Sequence, residues 1–335
     1  MRPKNNSVVY RPDLGVIVTE YATDINAQPI GLRVLPLFPT SMQSSSFPVI
    51  PKEALLSAPD VSRAPRGKYP RGDWEYERGK YDTAEKGWEE PIDDAERKLL
   101  EGEAPTGLAD HIATQRAWGH IMRGQEKRIA TTVFNATNFT PHAITNEWDD
   151  AANATPIDDI NAGNLSVRSA CGMLPNALII AYSTFLNLKN CDQVVDRLKY
   201  TFPGIDINKM TSAQLAEIFN VPQVLIGSGV YNSAGKGQDA NVVDLWDNEY
   251  AMLTRIATPG SRDMTEACIG RTFLWTEDSP ENPVVEAYRE ESSRSDVIRV
   301  RHNVGETLIK SYTDAGAVVS DIAASVSYLF SNVTT

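Results

Sequence analysis

Cysteine is nearly missing from this 335-residue chain: Cys171, Cys191 and Cys268 are odd in number and show no C-x-x-C spacing. That excludes a disulfide framework and a paired-cysteine zinc knot, and the three thiols read as small buried hydrophobes in a reducing compartment. No run of apolar residues is long enough to span a bilayer, and Arg2 and Lys4 lead into polar Asn5, Asn6 and Ser7 rather than an apolar stretch. The expectation is a protein made and used without crossing a membrane, so Asn135-Ala-Thr137 and Asn153-Ala-Thr155 carry no glycosylation meaning. Positive charge is also in deficit: 32 Lys and Arg stand against 44 Asp and Glu, a formal net of -12. An acidic surface repels phosphodiesters, which argues against a reader of DNA sequence.

Catalytic patterns are absent too. Histidine occurs four times, as His111, His120, His142 and His302, with no H-E-x-x-H and no Cys/His cluster. No G-x-S-x-G elbow is present. The glycine-rich stretch Gly227-Ser-Gly229 to Gly235-Lys236-Gly237 spaces its glycines one residue too far apart for a phosphate loop. It also lacks the Ser or Thr that would hold magnesium, and it reads as a strand end followed by a surface loop. The carboxylate pairs Glu89-Glu90, Asp93-Asp94 and Asp149-Asp150 lie in the most polar stretches, where neither carboxylate is desolvated as acid–base work requires. The chain is expected to be no enzyme and to hold no metal or cofactor.

What is present is an uneven distribution of residue types. Residues 1–56 alternate short apolar runs with Pro12, Pro29, Pro36, Pro39, Pro48 and Pro51, and read as an extended arm with edge-strand pieces; the alternative is a disordered leader. Ser41 to Ser46 reads as a flexible joint. Residues 57–92 are charged and aromatic. Trp74 and Tyr76 alternate with Glu75 and Glu77 before Arg78 and Lys80, and a period of two puts the aromatic rings on one face. A projecting two-stranded hairpin running to Trp88 is the expectation, with a solvated acidic loop as the alternative.

Asp93 with Glu96 fits a capping box that opens a helical region, and after an interruption from Gly102 to Gly107 a long helix follows. Its apolar stripe is Leu108, Ile112, Trp118, Ile121, Met122, Ile129 and Val133, while Arg116, Arg123, Glu126, Lys127 and Arg128 form the solvated side. So narrow a stripe suits a strut with something packed on one side. From Trp148 the pattern becomes mixed α/β: a helix ending at Cys171, buried strands at 176–182 and 221–226, and helices over 186–200 and from Thr211. Strands return at 269–275, 284–288, 297–300, 307–310 and 317–319.

This order of parts resembles the tailed-bacteriophage major capsid proteins of the Hong Kong 97 fold. The likeness is carried by Gly87-Trp-Glu-Glu-Pro91-Ile-Asp-Asp94, Glu126-Lys-Arg-Ile-Ala130 with Asn135-Ala-Thr, and Trp148-Asp-Asp with Pro156-Ile-Asp-Asp-Ile160. Pro175-Asn-Ala-Leu-Ile-Ile180, Leu215-Ala-Glu-Ile-Phe219 with Val224-Leu-Ile-Gly227, and Asp296-Val-Ile-Arg-Val300 continue it. The resemblance implies an α+β fold with an N-terminal arm (1–56), an extended loop (57–92) and a peripheral domain with spine helix (93–147). An axial domain (148–265) and return strands with a C-terminal tail (266–335) complete it.

It implies self-association into pentamers and hexamers of an icosahedral shell in the virion, assembled in the host cytoplasm. Double-stranded DNA would be enclosed without being read. The partners implied are a separate scaffolding protein, a portal and a decoration protein. Inter-subunit contacts are expected from Trp74, Glu75, Tyr76, Glu77, Arg78, Lys80 and Trp88. An encapsulin-like compartment shell shares the fold and is the alternative within it; a soluble α/β enzyme is the alternative outside it.

Overall fold

The computed structural model describes residues 9–10, 29–51, 56–63, 65–72, 76–101, 107–201, 210–235, 237–280, 282–313 and 316–334. Its longest element is helix α3 (Leu108–Val133), which follows single-turn α1 (Gly31–Val34) and α2 (Asp94–Glu101) in the chain. The apolar stripe places α3. Ala113, Ala117, Trp118, Ile121 and Met122 pack on Ile92, Val285, Ile298 and Val300, whereas Ile129, Ala130 and Val133 join a second core with Ile30, Val34, Ile179 and Met252. One strut thus ties two layers together.

The first layer is a six-stranded sheet. Strands β1 (Val9–Tyr10), β2 (Leu37–Thr40), β5 (Ala84–Asp93), β12 (Gly270–Trp275), β13 (Val284–Glu290) and β14 (Ser295–Leu308) build it. The 14-residue β14 is its spine, pairing antiparallel with β13, β5 and β12 along its length. Separate strands at 297–300 and 307–310 were expected there. His302, Asn303 and Gly305 interrupt the apolar run, yet both polar side chains are buried, and a Cβ at Gly305 would strike the carbonyl of Asp82.

The second layer is a five-stranded sheet in the order β6 (Pro141–Ala143), β17 (Ser327–Ser331), β11 (Ala251–Thr254), β7 (Ala177–Ala181), β8 (Gln223–Gly227). Every residue of β7 is buried, because helices cover one face and the end of the strut the other. Each fully buried Leu or Ile there contributes about 2 kcal/mol. The helices are α4 (Pro156–Cys171), α5 (Tyr182–Asn190), α6 (Asp192–Thr201) and α7 (Ser212–Phe219). The single helix expected over 186–200 is broken at Cys191, which adopts an extended conformation. Thr211 caps α7 with Gln214 in a reciprocal capping box. Near the C-terminus, β17 inserts between β6 and β11, so residues expected in a tail lie inside this sheet.

The expected hairpin is built differently. Strand β4 (Glu77–Asp82) does not pair with β5; it pairs antiparallel with β3 (Ser44–Val49), from Ser44 opposite Asp82 to Val49 opposite Glu77. Ser44 to Ser46, read as a flexible joint, is therefore strand. The chain changes sheets at buried Thr83, whose amide and hydroxyl donate to the Gln43 carbonyl and whose carbonyl accepts from Gln43 Nε2. Strands β15 (Lys310–Tyr312) and β16 (Val318–Asp321) extend this ribbon to four strands, and α8 (Ile322–Ser325) leads on to β17. Within the glycine-rich stretch, β9 (Val230–Asn232) pairs antiparallel with β10 (Val242–Asp244) beyond it.

Candidate inter-subunit surface

Strands β3 and β4 frame residues 50–76, and the described part of that stretch from Leu56 to Gly72 is exposed throughout. The ribbon is anchored by rings. Phe47 and Tyr81 are buried against Phe273 of β12, with Tyr81 stacked 4.2 Å from it at 9° and Phe47 5.8 Å away at 30°. Gly79, directly opposite Phe47 in the ladder, leaves room for that ring, since a Cβ there would overlap it. The period of two in β4 thus turns Gly79 and Tyr81 inward and Arg78, Lys80 and Asp82 outward.

The sequence-derived contact residues divide accordingly. Trp74 and Glu75 lie outside the described residues. Tyr76 is 61% exposed just ahead of β4. Glu77 is half-buried and accepts a hydrogen bond from the Ser311 hydroxyl of β15, so it holds the ribbon to its own subunit. Arg78 and Lys80 project outward from β4. Trp88 belongs to β5 in the other sheet; it is 47% exposed, lies 4.8 Å from the His120 ring and donates from Nε1 to Glu90 at 3.0 Å. It is therefore not on the ribbon with the others.

Ion pairs lace the sheet beside the ribbon. Arg289 bridges Asp94 (2.6 Å) and Asp296 (3.1 Å), Arg97 bridges Asp110 (2.6 Å) and Asp296 (3.1 Å), and Arg301 bridges Asp278 and Glu286, each at 3.0 Å. The Arg289 hydrogen bond holds the Asp94 carboxyl below the usual range. Glu89, once weighed with Glu90 as an acid–base pair, accepts from Arg299 at 2.7 Å. Glu306 is buried between Arg128 (2.8 Å) and Lys86 (3.4 Å); burial would raise its carboxyl, but the two cations hold it low.

Two buried titratable groups stand apart. His302 is fully buried, its Nδ1 3.3 Å from Asn282 Oδ1, and burial with Arg128 and Lys86 nearby lowers it to about 4. Glu126, assigned from the sequence to the solvated side of the strut, is 4% exposed. Its burial outweighs the bonds that it accepts and raises its carboxyl. Spacing held the signal: residues 118, 122, 126, 129 and 133 recur at helical intervals on one face. Among the described residues no group of three or more His, Cys, Asp or Glu could hold a metal ion, and no helix is long and apolar enough to cross a membrane. The three cysteines are free and buried.

No protein-family model matches the chain. A major capsid protein of Burkholderia phage BcepMu is 25% identical over 305 residues, covering 89% of this chain and 92% of that protein. Among solved structures, a phage-related protein of Bordetella bronchiseptica RB50 superposes with a TM-score of 0.68 at 17% identity over 98% of both chains. A virus-like particle from Pyrococcus furiosus gives a TM-score of 0.52 at 10% identity, over 95% of this chain and 98% of that one. The superpositions establish the overall fold, because they span the chain. The chain accordingly has the Hong Kong 97-like fold, and over 89% of its length it is similar to a phage major capsid protein.

Proposed function

We propose that the chain is the major capsid protein of a tailed bacteriophage, a structural subunit that self-assembles into an icosahedral shell around double-stranded DNA. The observation that carries this reading is the sequence similarity to a phage major capsid protein across nine-tenths of both chains. The virus-like particle shares the fold alone, so a cargo-holding compartment has the weaker support. A subunit of this kind acts by geometry: heterologous contacts around five-fold and six-fold rings close on themselves when an appendage of one subunit lies on the next. Many modest contacts per subunit then give a stable shell.

The arm ahead of residue 56 and the β3–β4 ribbon with residues 50–76 supply those appendages. The strut with the six-stranded sheet forms the peripheral body, and the five-stranded sheet with α4–α7 the axial body. Trp74, Glu75, Tyr76, Arg78 and Lys80 meet the neighbour, Glu77 sets the ribbon's register, and Trp88 offers a separate half-exposed ring on β5. The protein works in the virion without catalysis, having been assembled in the host cytoplasm with a separate scaffolding protein, a portal and a decoration protein. Negative-stain microscopy of purified protein tests this. Closed shells are expected, with Trp74→Ala reducing their yield while the subunit stays soluble; protein that is monomeric in every condition refutes the reading.

A further inference from the structure

Glu126 sits where three separate elements meet. Its Oε1 accepts from the backbone amide of Ile30 at 3.0 Å and from Trp246 Nε1 at 2.6 Å, and its Oε2 accepts from the backbone amide of Gly31 at 2.7 Å. The donors come from the arm and from the loop after β10, and the acceptor from the strut. Among the described residues no lysine or arginine forms an ion pair with it, so a nearly fully buried carboxylate is met by N–H groups alone. Such an arrangement fails as a unit, because losing a donor leaves a buried charge short of a partner.

The arm is shaped to this group. A Cβ on Gly31 would strike Glu126 Oε2 and lie 3.0 Å from Ile129 Cδ1, so glycine is what lets the backbone close over the carboxylate. Downstream, the arm is fixed by other means. Pro36 and Leu35 carbonyls accept from the Thr272 amide (3.0 Å) and hydroxyl (2.8 Å), and β2 runs parallel to β12. Upstream of Leu35, the Glu126 bonds hold the backbone to the strut at Ile30 and Gly31.

We propose that Glu126 is a positioning residue of assembly: it latches the arm at Ile30–Gly31 to the strut and to Trp246, and so fixes the direction in which the chain enters β2. The role in assembly rests on the reading of the chain as a shell subunit; the latch itself does not. Docking buries the carboxylate, and a buried carboxylate binds its proton more tightly than an exposed one. The latch is therefore tightest in mild acid and loosens as pH rises through the raised value. Charged groups on the packed elements are Arg33 on the arm, Lys127 and Arg128 on the strut, and Asp244, Asp247 and Glu249 around Trp246. Arg128 is committed to Glu306, and none of them bonds to Glu126.

Hydrogen exchange and the Trp246 indole N–H resonance, assigned with Trp246→Phe, test the latch on the full chain. In Glu126→Ala the Ile30 and Gly31 amides are expected to exchange roughly 100-fold faster, with β7 amides unchanged. Gly31→Ala reaches the same loosening from the arm side, and Glu126→Gln, which keeps one acceptor oxygen, gives a smaller change. The wild-type indole resonance shifts with pH above the ordinary glutamate range, and Glu126→Gln abolishes that titration. Should Glu126→Ala not fold, Gly31→Ala and Glu126→Gln decide the matter. Unchanged arm exchange, or an indole titration that persists without the carboxylate, overturns the latch. If Glu126→Ala forms shells as well as wild type does, the assembly role fails and the capsid reading stands. If wild type shows the latch yet never forms shells, the capsid reading fails and the latch stands.

Discussion

Phe47→Ala should free the ribbon while leaving the two-layered body intact. The ring is 3% exposed, stacked 5.8 Å from Phe273 and 6.5 Å from Tyr81. Removing a buried phenylalanine costs about 3–5 kcal/mol, and about 1 kcal/mol of that reflects ring–ring geometry. The loss falls on the β3–β4 ribbon, whose remaining ties include the Tyr81–Phe273 stack, buried Val49, the Glu77–Ser311 bond and the short β15 pairing. A loss of about 3 kcal/mol corresponds to roughly 100-fold faster opening at equilibrium, since each 1.4 kcal/mol is tenfold. Hydrogen-exchange mass spectrometry of peptides over 44–49 and 77–82 reads this directly, with 177–181 as the internal control. Gly79→Ala is the companion variant: it removes no apolar surface but drives a methyl into the Phe47 ring. Both variants should loosen the same peptides and lower shell yield together. Exchange within twofold of wild type in both would show that the rings do not hold the ribbon, and the anchoring argument would fail.

Two further outcomes follow from charge. His302 is held down to about 4 from 6.5 by burial and by Arg128 and Lys86; the unfolded chain therefore binds a proton that the native one refuses. Its contribution, about 3 kcal/mol, is full above pH 6.5 and is lost as pH falls toward 4. Urea midpoints should drop more steeply across that window in wild type than in His302→Gln. Glu126 acts with the opposite sign, so the readout is the difference between the two proteins; parallel profiles would refute the assignment. Residues 57–72 carry Arg63, Arg66, Lys68 and Arg71 against Asp60, a cationic stretch on an acidic chain. Shell formation should weaken as salt rises past about 0.15 M, where the screening length falls to about 8 Å, and light scattering that is flat with salt would rule out this attraction.

How far the sequence led differs by element, and the differences have physical causes. The strut, the β7 strand and the start of α7 at Thr211 are readable because each is specified locally, by a stripe, an apolar run or a helix-starting threonine. The ribbon was half readable. Alternation around Tyr76 and Lys80 signals a strand, but its partner is Ser44–Val49, reached across the Pro- and Gly-rich residues 50–76, rather than the adjacent segment to Trp88. Phe47 escaped notice because it is one ring in a Ser/Pro context, and what buries it is Phe273, far along the chain. Cys191 breaks a helix without Gly or Pro to mark it. Glu126 is the instructive case: residue type said solvent, spacing said core, and spacing was right because the arm supplies N–H donors that no local pattern reveals.

The distribution of charge, more than its sum, bears on the proposal that a shell of this chain encloses DNA. A net of -12 counts every cation as available, yet Lys86, Arg97, Arg128, Arg289, Arg299 and Arg301 all face carboxylates across the strut and the peripheral sheet. Such cations are poor phosphate ligands, because binding DNA would first require breaking a pair whose carboxylate remains close by to repel the phosphate. The pairs instead stitch β5, β13 and β14 to one another and to α2 and α3, stiffening the surface from which the ribbon projects. On the proposed reading these paired cations are unavailable to DNA, while the exposed Arg63, Arg66, Lys68 and Arg71 serve contacts between subunits.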